Sequence, residues 1–159
     1  MTIARTCSND EATQIAGEDF GLLLHPGDII LLTGRLGAGK TTFTKGVARA
    51  LGVKERVTSP TFTMVRQHTC HNAQGIKTLH HGDMYRIESA GEVADLAIGE
   101  LVEEAGVALV EWGELAAEIF GPRAISIHFE VHEDESRTLT VHGNFDENRR
   151  QEFTEWAGK

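Results

Sequence analysis

Residues Gly34-Arg35-Leu36-Gly37-Ala38-Gly39-Lys40-Thr41-Thr42 follow the pattern G-x-x-x-x-G-K-T, directly behind the apolar run Asp28-Ile29-Ile30-Leu31-Leu32. A strand, a glycine-rich turn and a helix must come in that order for such a loop to work, which narrows the choice of folds more than any other stretch of the chain. A backbone that wraps a triphosphate aims several N–H groups inward at once, in conformations and close approaches that a Cβ obstructs. Gly34, Gly37, Ala38, Gly39 and Thr42 therefore belong to a predicted nucleotide cradle. Lys40 supplies a point charge for the β- and γ-phosphates, Thr41 offers a hydroxyl to Mg²⁺, and the helix opening near Lys40 turns its positive end to the anion.

The required helix is visible. Phe43, Val47 and Ala50/Leu51 form one apolar stripe, Lys45 and Arg49 lie off it, and Gly52 is placed to end it. Upstream, Ser8 and Glu11 match a capping box, and Ala12, Ile15/Ala16, Phe20 and Leu23/Leu24 keep helical spacing, predicting a helix over about residues 9–24. Downstream, Val57 to Phe62 reads as a strand end breaking into a loop at Pro60. Met64–His68 and Ile76–His81 read as a hairpin through Asn72-Ala73-Gln74-Gly75, and residues 89–104 as an acidic helical stretch broken near Gly99. Val107–Val110 is a buried-strand run. Ile125–Val131 and Leu139/Val141 alternate as a second hairpin, and a last amphipathic helix covers about Asp146–Ala157. The predicted class is α/β, a P-loop NTPase core with a mixed sheet, flanking helices and antiparallel hairpins.

With 159 residues, residues 1–159 are expected to form one domain that buries about two thirds of its unfolded surface without staples. Two cysteines, Cys7 and Cys70, are too few for a disulfide framework, the first residues lack a signal-peptide core, and no apolar run is long enough to span a bilayer; the expected location is the cytoplasm. The net charge of −9 argues against a broad nucleic-acid grip, so any RNA is expected to be met only indirectly. His68, Cys70, His71, His80 and His81 fit no tetrahedral zinc spacing, and His81 is expected to hydrogen-bond Asp83.

Hydrolysis needs a further carboxylate for the metal and a group to orient water, both usually at the carboxyl ends of neighbouring strands. Glu111 follows Val107–Val110 in a Walker B arrangement, and Asp83 ends the strand Thr78–Gly82; either can touch Mg²⁺ on this reading. Gly37–Phe43, Ser59-Pro60-Thr61-Phe62, His81-Gly82-Asp83-Met84-Tyr85-Arg86 and Glu111-Trp112-Gly113-Glu114, in that order and spacing, resemble the bacterial TsaE (YjeE) family. The resemblance covers nearly the whole chain. It implies the ATPase component of the machinery that makes threonylcarbamoyladenosine beside the tRNA anticodon, acting with TsaB and TsaD rather than performing the transfer. It further implies ATP and Mg²⁺ as cofactors, with Lys40, Asp83 and Glu111 as catalytic residues. Thr41 and Glu111 become metal ligands, Asp83 orients water or holds the metal indirectly, and Ser59-Pro60-Thr61 forms a switch-like loop with Thr61 at the nucleotide. The base is expected near Asp10 to Thr13 and near the late β-structure.

Two departures stand out. Arg35 takes a place where the family often carries an acid, which leaves the main-chain cradle intact, and Gly113 replaces a frequent proline, predicting a looser loop behind Glu111. Trp112 is expected to cover the site, to face a partner, or to pack as core at the strand end. A small-molecule P-loop kinase is the alternative reading, for which Arg123 and Arg137 are the available lid arginines, and a nucleotide-dependent binding module is a third. The base-reading motif Asn-Lys-x-Asp of GTPases is absent, which by itself selects neither ATP nor GTP.

Overall fold

A computed structural model describes residues 2–59, 65–84, 88–95 and 97–159. Its frame is a seven-stranded mixed sheet in the order β1-β7-β6-β2-β5-β4-β3. The strands are β1 (Ile3–Cys7), β2 (Ile29–Thr33), β3 (Val65–Thr69), β4 (Thr78–Asp83), β5 (Gly106–Glu111), β6 (Ile125–Val131) and β7 (Arg137–His142). β6, β2, β5 and β4 run parallel, while β3 and the β7–β1 pair lie antiparallel at the two edges. Both predicted hairpins are present, as β3–β4 and β6–β7.

The central strands are apolar throughout because both faces are covered. Ile30 and Leu32 of β2, with Val107 and Leu109 of β5, join the larger core under α1 (Asp10–Gly21), α2 (Lys40–Ala50) and α6 (Glu147–Ala157). Ile29, Leu31, Ala108 and Val110 point the other way, into a smaller core with Ile98, Val102 and Ala116 from the side of α3 (Ala90–Asp95), α4 (Ile98–Leu101) and α5 (Glu114–Phe120).

Several local expectations shift. The first helix is capped by Asn9, whose side chain accepts from the Ala12 N–H at 2.8 Å, rather than by Ser8. It stops at Gly21, where the Gln74 side chain takes up the carbonyls of Gly21 and Leu24. Ile15 is exposed, because Ala16 and Gly17 face the core instead. Residues 57–59 are loop, not strand. The acidic stretch reverses at Ala97, in the left-handed region at φ 49°, and Gly99 sits inside α4. The loop break expected at Pro60, the nucleotide role expected of Thr61 and the motif residues Tyr85 and Arg86 lie outside the described residues.

β1 is absent from the sequence reading because Arg5 interrupts its apolar alternation. Arg5 is nevertheless buried: its guanidinium pairs with Asp19 at 2.9 Å and donates to the Trp156 carbonyl. Cys7 and Cys70 are free and buried, and burial pushes the Cys70 thiol up to about 11. No helix among the described residues is long and apolar enough to cross a membrane.

Candidate functional site

The parallel strands β2, β5 and β4 bring their carboxyl ends to one edge of the sheet, the usual place for a ligand crevice in such folds. A cleft of about 520 Å³ opens there, lined by the loop after β2 together with Asp10, Ser59, Asp83, Glu111, Trp112 and Arg137.

The loop after β2 has the backbone a cradle needs. Gly34, Gly37 and Gly39 have φ of 134°, 80° and 101°, a region that disfavours any Cβ. At Gly39 a Cβ would also lie 2.9 Å from a guanidinium nitrogen of Arg137. Gly39 begins α2 without a side-chain cap, so the first-turn N–H groups at Lys40, Thr41 and Thr42 are directed to the cleft. The Arg35 side chain is exposed. Its share in the cradle is main-chain: the Arg35 carbonyl accepts from Ala38 N and from the Lys40 ammonium at 3.1 Å.

Lys40 is buried, its Nζ on the carbonyls of Gly34 and Arg35 and 3.5 Å from the centre of the Trp112 ring. Burial lowers its pKa from the ordinary lysine value, and Glu114, Glu111 and Asp83 pull it back upward. Trp112 reaches that position through a left-handed backbone at φ 60° immediately after β5. Its ring covers Lys40 and packs against the smaller core, two of the three roles the sequence left open.

Thr41 Oγ1 donates to Glu111 Oε1 at 2.7 Å and lies 2.9 Å from Ser59 Oγ. Glu111 is buried, and its other oxygen is held by His81 Nε2. This corrects the expected His81–Asp83 bond: parallel pairing sets His81 opposite Leu109, and the imidazole reaches diagonally to Glu111, the next residue on that face of β5. The Met84 N–H closes onto the Glu111 carbonyl at 3.0 Å, tying the ends of β4 and β5 together. A hydroxyl beside a buried carboxylate, with a second carboxylate on the adjacent strand, is an oxygen set that suits Mg²⁺, which keeps waters and phosphate oxygens as its other partners. The residues present fit that metal and a nucleotide.

The expected loosening at Gly113 is not found. Its N–H donates to Leu32 O at 3.1 Å, a bond that proline cannot make, and a Cβ there would sit 2.7 Å from the Leu31 Cβ. The loop behind Glu111 is pinned to β2.

Thr13 is fully buried beside the P-loop, with its hydroxyl on Asn9 O and 3.3 Å from Arg137 Nη1. Arg137 also pairs with Asp10, which brings the first helix and the start of β7 to the same cleft. Sequence reasoning treated Arg137 only as a lid candidate, because nothing local to β7 points at a loop about a hundred residues away. The histidines scatter: His68 turns to Glu55 and His81 to Glu111, and among the described residues no three His, Cys, Asp or Glu side chains converge on a metal position. Arg123 does not line the cleft.

The family model described as "Threonylcarbamoyl adenosine biosynthesis protein TsaE" matches residues 7–139. A protein named tRNA threonylcarbamoyladenosine biosynthesis protein TsaE from Treponema pallidum is 39% identical over 125 residues, which is 79% of this chain and 89% of the relative. Its namesake from Bacillus subtilis is 39% identical over 132 residues, covering 83% and 80%. Among solved structures, that of Bacillus subtilis YdiB superposes with a TM-score of 0.69 at 29% identity, over 99% of this chain and 95% of the other.

Proposed function

The chain belongs to the TsaE family of threonylcarbamoyl adenosine biosynthesis proteins, and from that premise we propose that it is a small Mg²⁺-dependent ATPase whose hydrolysis is gated by the partner proteins TsaB and TsaD. Its role is in the biosynthesis of threonylcarbamoyladenosine on tRNA. The observation that carries the ATPase reading is the Thr41–Glu111 hydrogen bond at the mouth of the glycine cradle, with Asp83 on the next strand.

The residues divide the work as follows. The main chain of Gly34 to Thr42 cradles the phosphates, and Lys40 sets its ammonium against the β- and γ-phosphates. Thr41 and Glu111 hold the metal, and His81 fixes which way the Glu111 carboxylate faces. Bound Mg²⁺ offsets the negative charge that develops on the phosphate oxygens. Asp83 orients the attacking water, and the Ser59 hydroxyl meets that of Thr41 beside it; Thr61 is assigned to the nucleotide on the family resemblance alone. Arg137 flanks the nucleotide from the other side of the cradle, with the buried Thr13 hydroxyl behind its guanidinium.

Phosphate release by the purified chain, alone and with TsaB and TsaD, tests the proposal, with Lys40→Ala as the blank. Slow release alone and strong stimulation by both partners, lost in the blank, is the expected result; an inserted partner group is worth about 10³- to 10⁵-fold in related phosphoryl-transfer sites. Equal rates with and without partners count against gating. Phosphate recovered in a small acceptor instead of water favours the kinase alternative.

Arg137 gives a separate prediction. Its Nε is buried with no partner among the described residues, and its Nη1 reaches the cradle wall. Arg137→Ala is expected to weaken ATP binding about tenfold, the loss of one charge-assisted contact. A fluorescent-nucleotide titration reads this directly, and an unchanged affinity removes Arg137 from the nucleotide site.

A further inference from the structure

Charge is strongly segregated along this acidic chain. Residues 29–82 hold eight Lys/Arg and a single acid, Glu55, while the remainder holds seven Lys/Arg against twenty-three Asp/Glu. Four of those cations, Lys45, Arg49, Lys54 and Arg56, are exposed in and just beyond α2. Lys45 and Arg49 stand one turn apart on the outer face of the helix. With Arg56 they rim a groove of about 260 Å³ whose floor is Ala48, Val53 and Val57, with Gln14 and one acid, Glu55, also on its lining.

The three cations of the rim outnumber the one acid on the groove's lining, Glu55. The Glu55 carboxylate is engaged by the buried imidazole of His68, and Glu18 approaches Arg49 only to 3.7 Å, where both side chains are solvated and the pair is weak. Among the described residues Lys45, Lys54 and Arg56 make no ion pair. The concavity matters as much as the charge: a phosphate backbone has no side chain to fill an apolar floor, whereas a protein segment does.

We propose that this groove docks an acidic segment of a partner protein, an apolar side chain seated on the Ala48–Val53–Val57 floor and carboxylates on the cationic rim. This rests on the partner-gated reading above and names the surface through which gating acts. The route to the nucleotide is short. α2 carries Lys40 and Thr41 in its first turn, and two residues beyond Val57 the chain reaches Ser59, whose hydroxyl lies on Thr41.

The test compares the wild-type chain with K45E/R49E/R56E for binding to the purified TsaB–TsaD complex by calorimetry at two salt concentrations. R150E, the same reversal on exposed α6, is the charge control, and ATP-analogue binding reports that the fold is intact. The triple variant is expected to bind about 30-fold more weakly, with a shallower salt dependence and unchanged nucleotide affinity. Wild-type docking and stimulation retained in the triple variant overturn the groove while leaving partner gating standing. A wild-type chain that does not bind the complex at all overturns both. Should purified tRNA, rather than the protein complex, be what these substitutions release, the occupant is RNA and the proposal fails.

Discussion

Glu111→Gln is expected to lower Mg²⁺-dependent hydrolysis by about 10²- to 10³-fold, the scale seen when one charge-stabilising group is removed from a preorganised site. The substitution is nearly isosteric and its oxygen still accepts from Thr41, so the buried β5 end keeps its shape. What it loses is the charge. Glu111 is the buried carboxylate at the point where Thr41, Ser59 and His81 converge, and it helps sustain the Lys40 ammonium against burial. Phosphate release measured against Mg²⁺ concentration, beside nucleotide affinity without metal, separates the roles: the first should collapse and the second change little. A metal dependence equal to that of the wild type would remove Glu111 from the metal site.

The second large effect is on stability. α1 and α2 cross at Gly17 and Gly46, and a Cβ on either would enter the backbone of the other helix, Phe43 O from Gly17 and Gln14 O from Gly46. Gly46→Ala cannot be absorbed by a rotamer change, since backbone is the obstacle, so the helices must separate. The cost is expected to reach about 3 kcal/mol despite alanine's better helix propensity, the upper range for overpacking. For a chain of this size that lowers the melting temperature by about 6–12 °C. Thermal unfolding followed by circular dichroism reads this, and an unchanged or raised midpoint would show that the helices have room to part. Because α2 begins at Lys40, nucleotide affinity should fall with it.

The elements most legible from the sequence are those whose cause is local. The β2–loop–α2 unit was plain because glycines at 34, 37 and 39 mark positive φ, and a period near 3.6 follows at once. The β6–β7 hairpin was plain because polar and apolar residues alternate on both sides of a polar turn. β1 was not, since its middle inward residue is an arginine whose burial depends on Asp19 and on the Trp156 carbonyl. The break placed at Gly99 went to Ala97 because an alanine there adopts the conformation usually left to glycine.

The same division holds at the candidate site. The sequence by itself determined the glycine loop between β2 and α2, the hydroxyl and ammonium that follow it, and two strand-ending carboxylates, because backbone conformation and hydrophobic period are written in neighbouring residues. Only the tertiary structure decided that His81 holds Glu111 rather than Asp83, that Trp112 covers Lys40, and that Arg137 reaches the cradle wall. Those contacts follow from β2 lying between β5 and β6, strands drawn from distant parts of the chain, and from a parallel register that sets Asp83 beside Glu111. Strand order is settled by the packing of both sheet faces together, so no single segment carries its signal.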